Sequence, residues 1–177
     1  MDIKRALMCT SLLPALATYL SPATALGQAT MITSTLGAVN FGNVTTMPPS
    51  DLTNATSIEI TDMRENLAGT GIFHNLPLQD FGAATLVASP PLFTPFIVMS
   101  TEFGHFVATK ITSDVPSGAD PTRLFDIMGN WTPGTYCNAV GFCPVPLIRS
   151  PFPATITMGF NQAGAGASIS MNFTFTV

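Results

Sequence analysis

The stretch from Phe152 to Val177 reads FPATITMGFNQAGAGASISMNFTFTV, and it decides the fold of this chain. Apolar and hydroxyl-bearing side chains alternate in both halves of it. Because successive side chains of a strand point to opposite faces, each half predicts a strand with one apolar and one polar face. Gly164 and Gly166 between the halves permit the positive φ that a tight reversal needs. The stretch therefore predicts a hairpin whose apolar face the rest of the chain must cover.

The rest of the chain predicts the same fold class. Fifteen prolines and 14 glycines divide the 177 residues into short segments, which argues against long helices. About eight to ten short strands separated by turn signals are expected, the spacing of an all-β, antiparallel β-sandwich or jelly-roll-like fold. We see no internal repeat and no second boundary, so residues 30–177 are predicted to form a single all-β domain.

Three segments carry more specific expectations. Residues 57–61 alternate like a short strand, and the charge-dense residues 62–66 after them are expected to form a solvated turn. Residues 114–121 are rich in Pro, Gly and Asp and are expected to form a loop. Residues 124–131 are expected to be a short strand or a turn.

The composition excludes several classes of protein. Charged residues make up 9% of the chain and hydrophobic residues 46%, with a mean hydropathy of +0.40. Disordered chains combine low hydrophobicity with high charge, and an ordinary soluble domain is roughly 25% charged. The net charge of −4 comes without any basic patch, which argues against nucleic-acid partners. The polar surface must be built mainly from Thr, Ser and Asn.

The first 29 residues have the parts of a secretory signal peptide. Lys4 and Arg5 form a positive start, an apolar run follows, and small residues permit cleavage after Ala25 or Ala29. The apolar run is shorter than the roughly 20 residues that a membrane-spanning helix needs. We therefore expect a cleaved helical signal peptide at residues 1–29 and a secreted or cell-surface (periplasmic or extracellular) protein, with no stable membrane span after processing.

Two cysteines remain after the leader, Cys137 and Cys143. In an oxidising compartment an even pair so close in sequence predicts a disulfide that closes a small loop, with a gain of about 2 to 3 kcal/mol. Free thiols and a metal site are the alternatives. The metal alternative is disfavoured because no nearby histidine completes a ligand set.

Two stretches together resemble a known group of proteins. They are LFDIMGNWTPG at residues 124–134, and PATITMGFNQ at residues 153–162 with its Gly-rich turn and Ser-Ile-Ser. In this order they are similar to exported β-rich bacterial surface proteins that are substrates of the exosortase (PEP-CTERM) sorting system. Members of that group end in a Pro-Glu-Pro motif, an apolar helix and a basic cluster, whereas this sequence stops at Val177. The resemblance therefore implies a surface or matrix protein without the C-terminal sorting anchor, and it assigns no site residues.

Few residues suggest a site. Trp131 is the one candidate ligand platform, since sugar-binding surfaces use exposed aromatic rings with a polar atom, whereas the 13 phenylalanines are more typical of a core. Asp114, Asp120 and Asp126 are candidate calcium ligands, although their spacing lacks the alternation of a calcium loop. Residues that acid–base chemistry could use, without a motif to join them, are His74, His105, Glu59, Asp62 and Glu65.

Three classes of function are compatible with these sequence features. The first is a non-enzymatic cell-surface or extracellular-matrix component that associates with itself or with other matrix components, for example through exposed strand edges. The second is an outer-membrane β-barrel, for which the terminal alternation fits but Pro-broken short strands do not. The third is a carbohydrate-binding module or a hydrolase. We expect the first, with no catalytic residues and no cofactor.

Overall fold

The computed structural model describes residues 33–49, 51–88, 95–116, 121–138, 143, 151–164 and 166–177. The predicted signal peptide lies outside the described residues. The strands are β1 (Thr35–Asn40), β2 (Val44–Met47), β3 (Ser57–Leu67), β4 (Asp80–Val87), β5 (Ile97–Ser100), β6 (Gly104–Pro116), β7 (Thr122–Pro133), β8 (Phe152–Gln162) and β9 (Ile169–Thr176). A 3-10 turn, Gly71–Phe73, precedes β4, and a short helix, α1 (Thr135–Asn138), follows β7.

All of these strands belong to one antiparallel sheet. Its order is β2-β3-β1-β9-β8-β7-β6-β5, and β4 pairs with β3. Strands β1 and β2 pair with successive parts of the same strand, β3. Asn40 of β1 pairs with Met63, and Val44 of β2 pairs with Ile60. The edge strands β4 and β5 contact each other, but no backbone ladder joins them among the described residues. The all-β antiparallel prediction is confirmed, and one curled sheet supplies both walls of the core.

The predicted terminal hairpin is confirmed. Strands β8 and β9 pair from Gln162–Ile169 at the turn to Thr155–Thr176 at the open end, and Gly166 in the turn has a φ of 79°. The inward side chains are buried as the alternation predicts: Ala154, Ile156, Met158, Phe160, Gln162, Ile169, Met171, Phe173 and Phe175.

An aromatic cluster fills the space inside the sheet. The ring of Phe175 on β9 lies 4.9 Å from that of Phe103, 5.7 Å from Phe73 and 5.8 Å from both Phe106 and Trp131, centroid to centroid. Edge-to-face contacts dominate, the arrangement that ring quadrupoles favour. Phe73 comes from the 3-10 turn, so the connection between β3 and β4 inserts a side chain that no strand provides.

Two of the segment expectations are wrong. Residues 62–66 continue β3 instead of forming a solvated turn, because Met63 and Glu65 point inward while Arg64 between them points outward. Residues 114–116, expected to be part of a loop, belong to β6, which runs to Pro116; residues 117–120 lie outside the described residues. Residues 124–131 do form a strand, within the 12-residue β7.

A buried arginine closes one end of the core. Arg123 on β7 is 6% exposed. Its Nε and Nη2 donate to the two carboxylate oxygens of Asp114 on β6, each at 2.7 Å. Its Nη1 donates to the carbonyl oxygens of Leu52 and Ala55 in the turn before β3. One guanidinium therefore joins β6 and β7 to the opposite wall of the sheet.

Replacing Arg123 with Met is expected to lower the free energy of unfolding by about 3 kcal/mol, because a partly buried carboxylate and two carbonyls lose their donor. Arg64→Met is the matched control. Arg64 is 45% exposed and pairs only with Asp62 and Asp80 at the surface, so its loss should cost about 1 kcal/mol or less. Chemical denaturation measures both, and equal losses would contradict this role of Arg123.

Candidate functional site

Trp131 lies inside the sheet and is 0% exposed. Its indole Nε1 donates to the carbonyl oxygen of Phe103 at 3.1 Å, and the rings of Phe73 and Phe175 pack against it at 5.3 and 5.8 Å. An indole enclosed in this way has no face free for a ligand. The expectation of a ligand platform at Trp131 is therefore corrected to a core role. The alternation along β7 could have predicted this burial, because Trp131 falls on the same inward face as Phe125.

Cys137 and Cys143 form a disulfide, as predicted. Cys137 lies in α1, directly after β7, and both cysteines are buried. The bond closes a small loop in the connection that leads from β7 to β8.

The two candidate calcium ligands that the structure describes, Asp114 and Asp126, have different partners. Asp114 is held by Arg123, whereas Asp126 accepts a hydrogen bond from Thr157 Oγ1 at 2.9 Å on the outward face of the sheet. Asp120 lies outside the described residues. Across the described ranges, no group of three His, Cys, Asp or Glu side chains has the arrangement of a metal site.

The two histidines lie on separate elements. His74 follows the 3-10 turn, and its Nδ1 lies 3.0 Å from Asn75 Oδ1. His105 lies near the start of β6. Both side chains are exposed, and neither extends into the aromatic core.

A buried polar cluster that we did not predict connects the two edges of the sheet. It lies at the end of the core opposite Arg123. Glu65 on β3 and Gln79 before β4 are 7% and 4% exposed. The Gln79 backbone N–H donates to Glu65 Oε2 at 3.0 Å. The Gln79 side chain accepts a hydrogen bond from Ser100 on β5 at 2.5 Å and donates one to Glu102 at 3.1 Å. Gln79 thus links β3 to the end of β5. It lies beside the two edge strands β4 and β5, which no backbone ladder joins among the described residues.

Burial raises the pKa of the Glu65 carboxyl, although the N–H groups of Gln79 and Gly69 oppose that shift. Glu65 Oε1 has no hydrogen-bond partner in the described structure. Because the side chain is enclosed, this carboxyl is not presented to a substrate, and its ionisation acts on stability.

The raised pKa of Glu65 predicts a pH-dependent stability. The folded state binds this proton more tightly than the unfolded state, in which the carboxyl has its ordinary pKa of about 4.5. The resulting stabilisation is full below that value and is lost as the pH rises through the folded-state pKa. The free energy of unfolding of the wild type, minus that of Glu65→Gln, should therefore fall as the pH is raised above about 4.5.

Denaturant unfolding at a series of pH values measures this difference. Glu59→Gln, which removes an exposed carboxylate from the same strand, controls for the loss of one negative charge. A difference that stays constant or rises over this range would contradict the assignment.

An open groove of about 400 Å³ crosses the outward face of β1, β9, β8 and β7. Gly159 on β8 forms its floor. The register places Gly159 between Leu124 on β7 and Asn172 on β9, and Asn172 is opposite Val39 on β1. A second row crosses the same strands beside the first and consists of Thr122, Asn161 and Ser170. Strand parity predicts that these residues face outward, but only the register shows that they are neighbours.

Apolar side chains continue the outward face next to the groove. Leu124 is 52% exposed and Val115, its cross-strand neighbour on β6, is 54% exposed. Met128 lies on the same outward face of β7. The surface of β6 and β7 therefore mixes aliphatic side chains with hydroxyls and amides.

Among the residues that the structure describes, no helix combines the length and the apolar character needed to cross a membrane. No family model, curated protein or solved structure matches this chain.

Proposed function

We propose that this chain is an exported, non-enzymatic β protein that serves as a structural or interaction component of the cell surface or extracellular matrix. The observation that carries the proposal is the polarity of the curled sheet. Aromatic side chains fill its interior, while the exposed positions of β8 and β9 are mainly hydroxyls and amides: Thr155, Thr157, Asn161, Ser170, Asn172 and Thr174. Such a face offers many uncharged hydrogen-bonding groups to a partner surface.

The disulfide supports export. Disulfides persist in oxidising compartments and are rare in the cytosol. The signal-peptide features of residues 1–29 and the resemblance to exosortase substrates point to the same location. The buried polar groups Arg123, Glu65 and Gln79 are engaged in holding the fold, which favours a binding role over catalysis.

An outer-membrane protein whose strands cross the bilayer is the second candidate. It would need an apolar outward band in contact with lipid. Leu124, Val115 and Met128 offer a small one on β6 and β7, but the outward positions of β8 and β9 are polar. This distribution favours the surface or matrix role.

Production of the full chain in a bacterial host tests export. We expect the protein outside the cytoplasm, with its N-terminus directly after Ala25 or Ala29 and with Cys137 joined to Cys143. Mass spectrometry of the intact protein, alkylated without reduction, shows both the position of the N-terminus and the presence of the disulfide. A variant that lacks residues 2–25 is the control and should stay in the cytoplasm with free thiols. Wild-type protein that stays in the cytosol with Met1 and all three thiols free (Cys9, Cys137 and Cys143) would refute the proposal.

A further inference from the structure

The groove on the outward face is concave because one side chain is missing from its row. Gly159 occupies an outward position of β8, and a Cβ added there would lie 2.8 Å from Asn172 Oδ1 and 3.3 Å from Leu124 Cδ2. Both distances are shorter than ordinary van der Waals contacts, so a side chain at position 159 would have to push Asn172 and Leu124 aside. Four strands at about 4.8 Å spacing make the groove roughly 14 Å across, which suits an extended ligand better than a single small molecule.

The polar groups of the groove match a ligand that carries hydroxyls. Thr122, Asn161, Ser170 and Asn172 are uncharged, and each can both donate and accept hydrogen bonds. Asn161 and Asn172 are both exposed, so their side-chain amides are accessible to a ligand. A hydroxyl also donates and accepts, so a row of sugar hydroxyls would satisfy these amides.

The apolar groups of the groove lie where the ring C–H groups of a sugar would pack. Leu124 forms one flank and Val39 the other. Beyond Val39, the ring of Phe41 is 69% exposed, with the guanidinium of Arg64 stacked 4.6 Å from its centroid. Apolar walls with a few convergent polar groups are the usual composition of a ligand site.

The charge of the groove selects a neutral ligand. None of its described lining residues is charged. Arg64, which lies across from Val39, is paired with Asp62 at 3.1 Å and Asp80 at 3.6 Å. Arg123, between Thr122 and Leu124, is buried and paired with Asp114. With a chain of net charge −4 around it, the groove offers no attraction to an anionic polymer.

We propose that this groove binds a segment of a neutral polysaccharide. The sugar hydroxyls bond the amides and hydroxyls of β8 and β9, and the ring faces pack on Leu124 and Val39. This binding is independent of where the protein resides, so its failure would leave the proposed location untouched.

Affinity electrophoresis of the disulfide-bonded protein tests the proposal. Native gels contain dextran, soluble starch, galactomannan, xylan or mixed-linkage β-glucan, with alginate as the anionic comparison. At least one neutral polymer should retard the protein, and alginate should not.

Gly159→Thr fills the groove while keeping a residue that strands favour, and Asn161→Ala combined with Asn172→Ala removes its amides. Each change should weaken the retardation about tenfold or more, the equivalent of roughly 1.4 kcal/mol. Thr155→Val changes the same outward face of β8 outside the groove and should bind like the parent. A circular dichroism melt confirms that each variant folds, and the double variant decides the outcome if Gly159→Thr does not fold.

The proposal is overturned if no neutral polymer retards the protein, if alginate alone does, or if the groove variants bind as well as the parent. Sedimentation that changes from dimer to monomer in Gly159→Thr, without any effect of polysaccharide, would assign the groove to a second copy of the chain and would also overturn it.

Discussion

The fold depends on covering one apolar face of the sheet, and no second layer among the described residues covers it. Strands β7, β8 and β9 present their large side chains to one side, with Phe175 at the centre of the rings gathered there. Exposing that face would cost about 25 cal/mol for each Å² of apolar surface. The sheet curls until its own opposite strands cover it. As a result, β4 and β5 meet as edges without a backbone ladder among the described residues.

Curling leaves two open ends, and buried polar groups close each of them differently. At one end the Arg123 guanidinium donates to a carboxylate and two backbone carbonyls, so the buried charge is paired. At the other, Gln79 connects Glu65 to the β5–β6 turn while Glu65 Oε1 stays without a partner. The cluster around Glu65 makes the stability of the protein depend on pH.

Much of this architecture was predictable from the sequence, because the decisive pattern is local. The alternation from Phe152 to Val177 gave the hairpin, its buried face and the fold class, and the spacing of Cys137 and Cys143 gave the disulfide. Features that depend on contacts between distant segments of the chain could not be predicted from that local pattern. Glu65 sits in a charged segment, and its inward position depends on the partners of β3. Phe73 enters the core from a turn that no periodicity marks. The groove exists because the register sets Gly159 between Leu124 and Asn172, a relation across three strands.

Residue-resolved amide hydrogen exchange tests the curled sheet most directly. The account predicts that the paired amides of β7, β8 and β9 are the most protected and exchange only with global unfolding. Amides of β4 and β5 that face the other edge strand should exchange much faster, since no ladder protects them. Exchange in the β8–β9 hairpin as fast as at those edges, or full protection between β4 and β5, would contradict it.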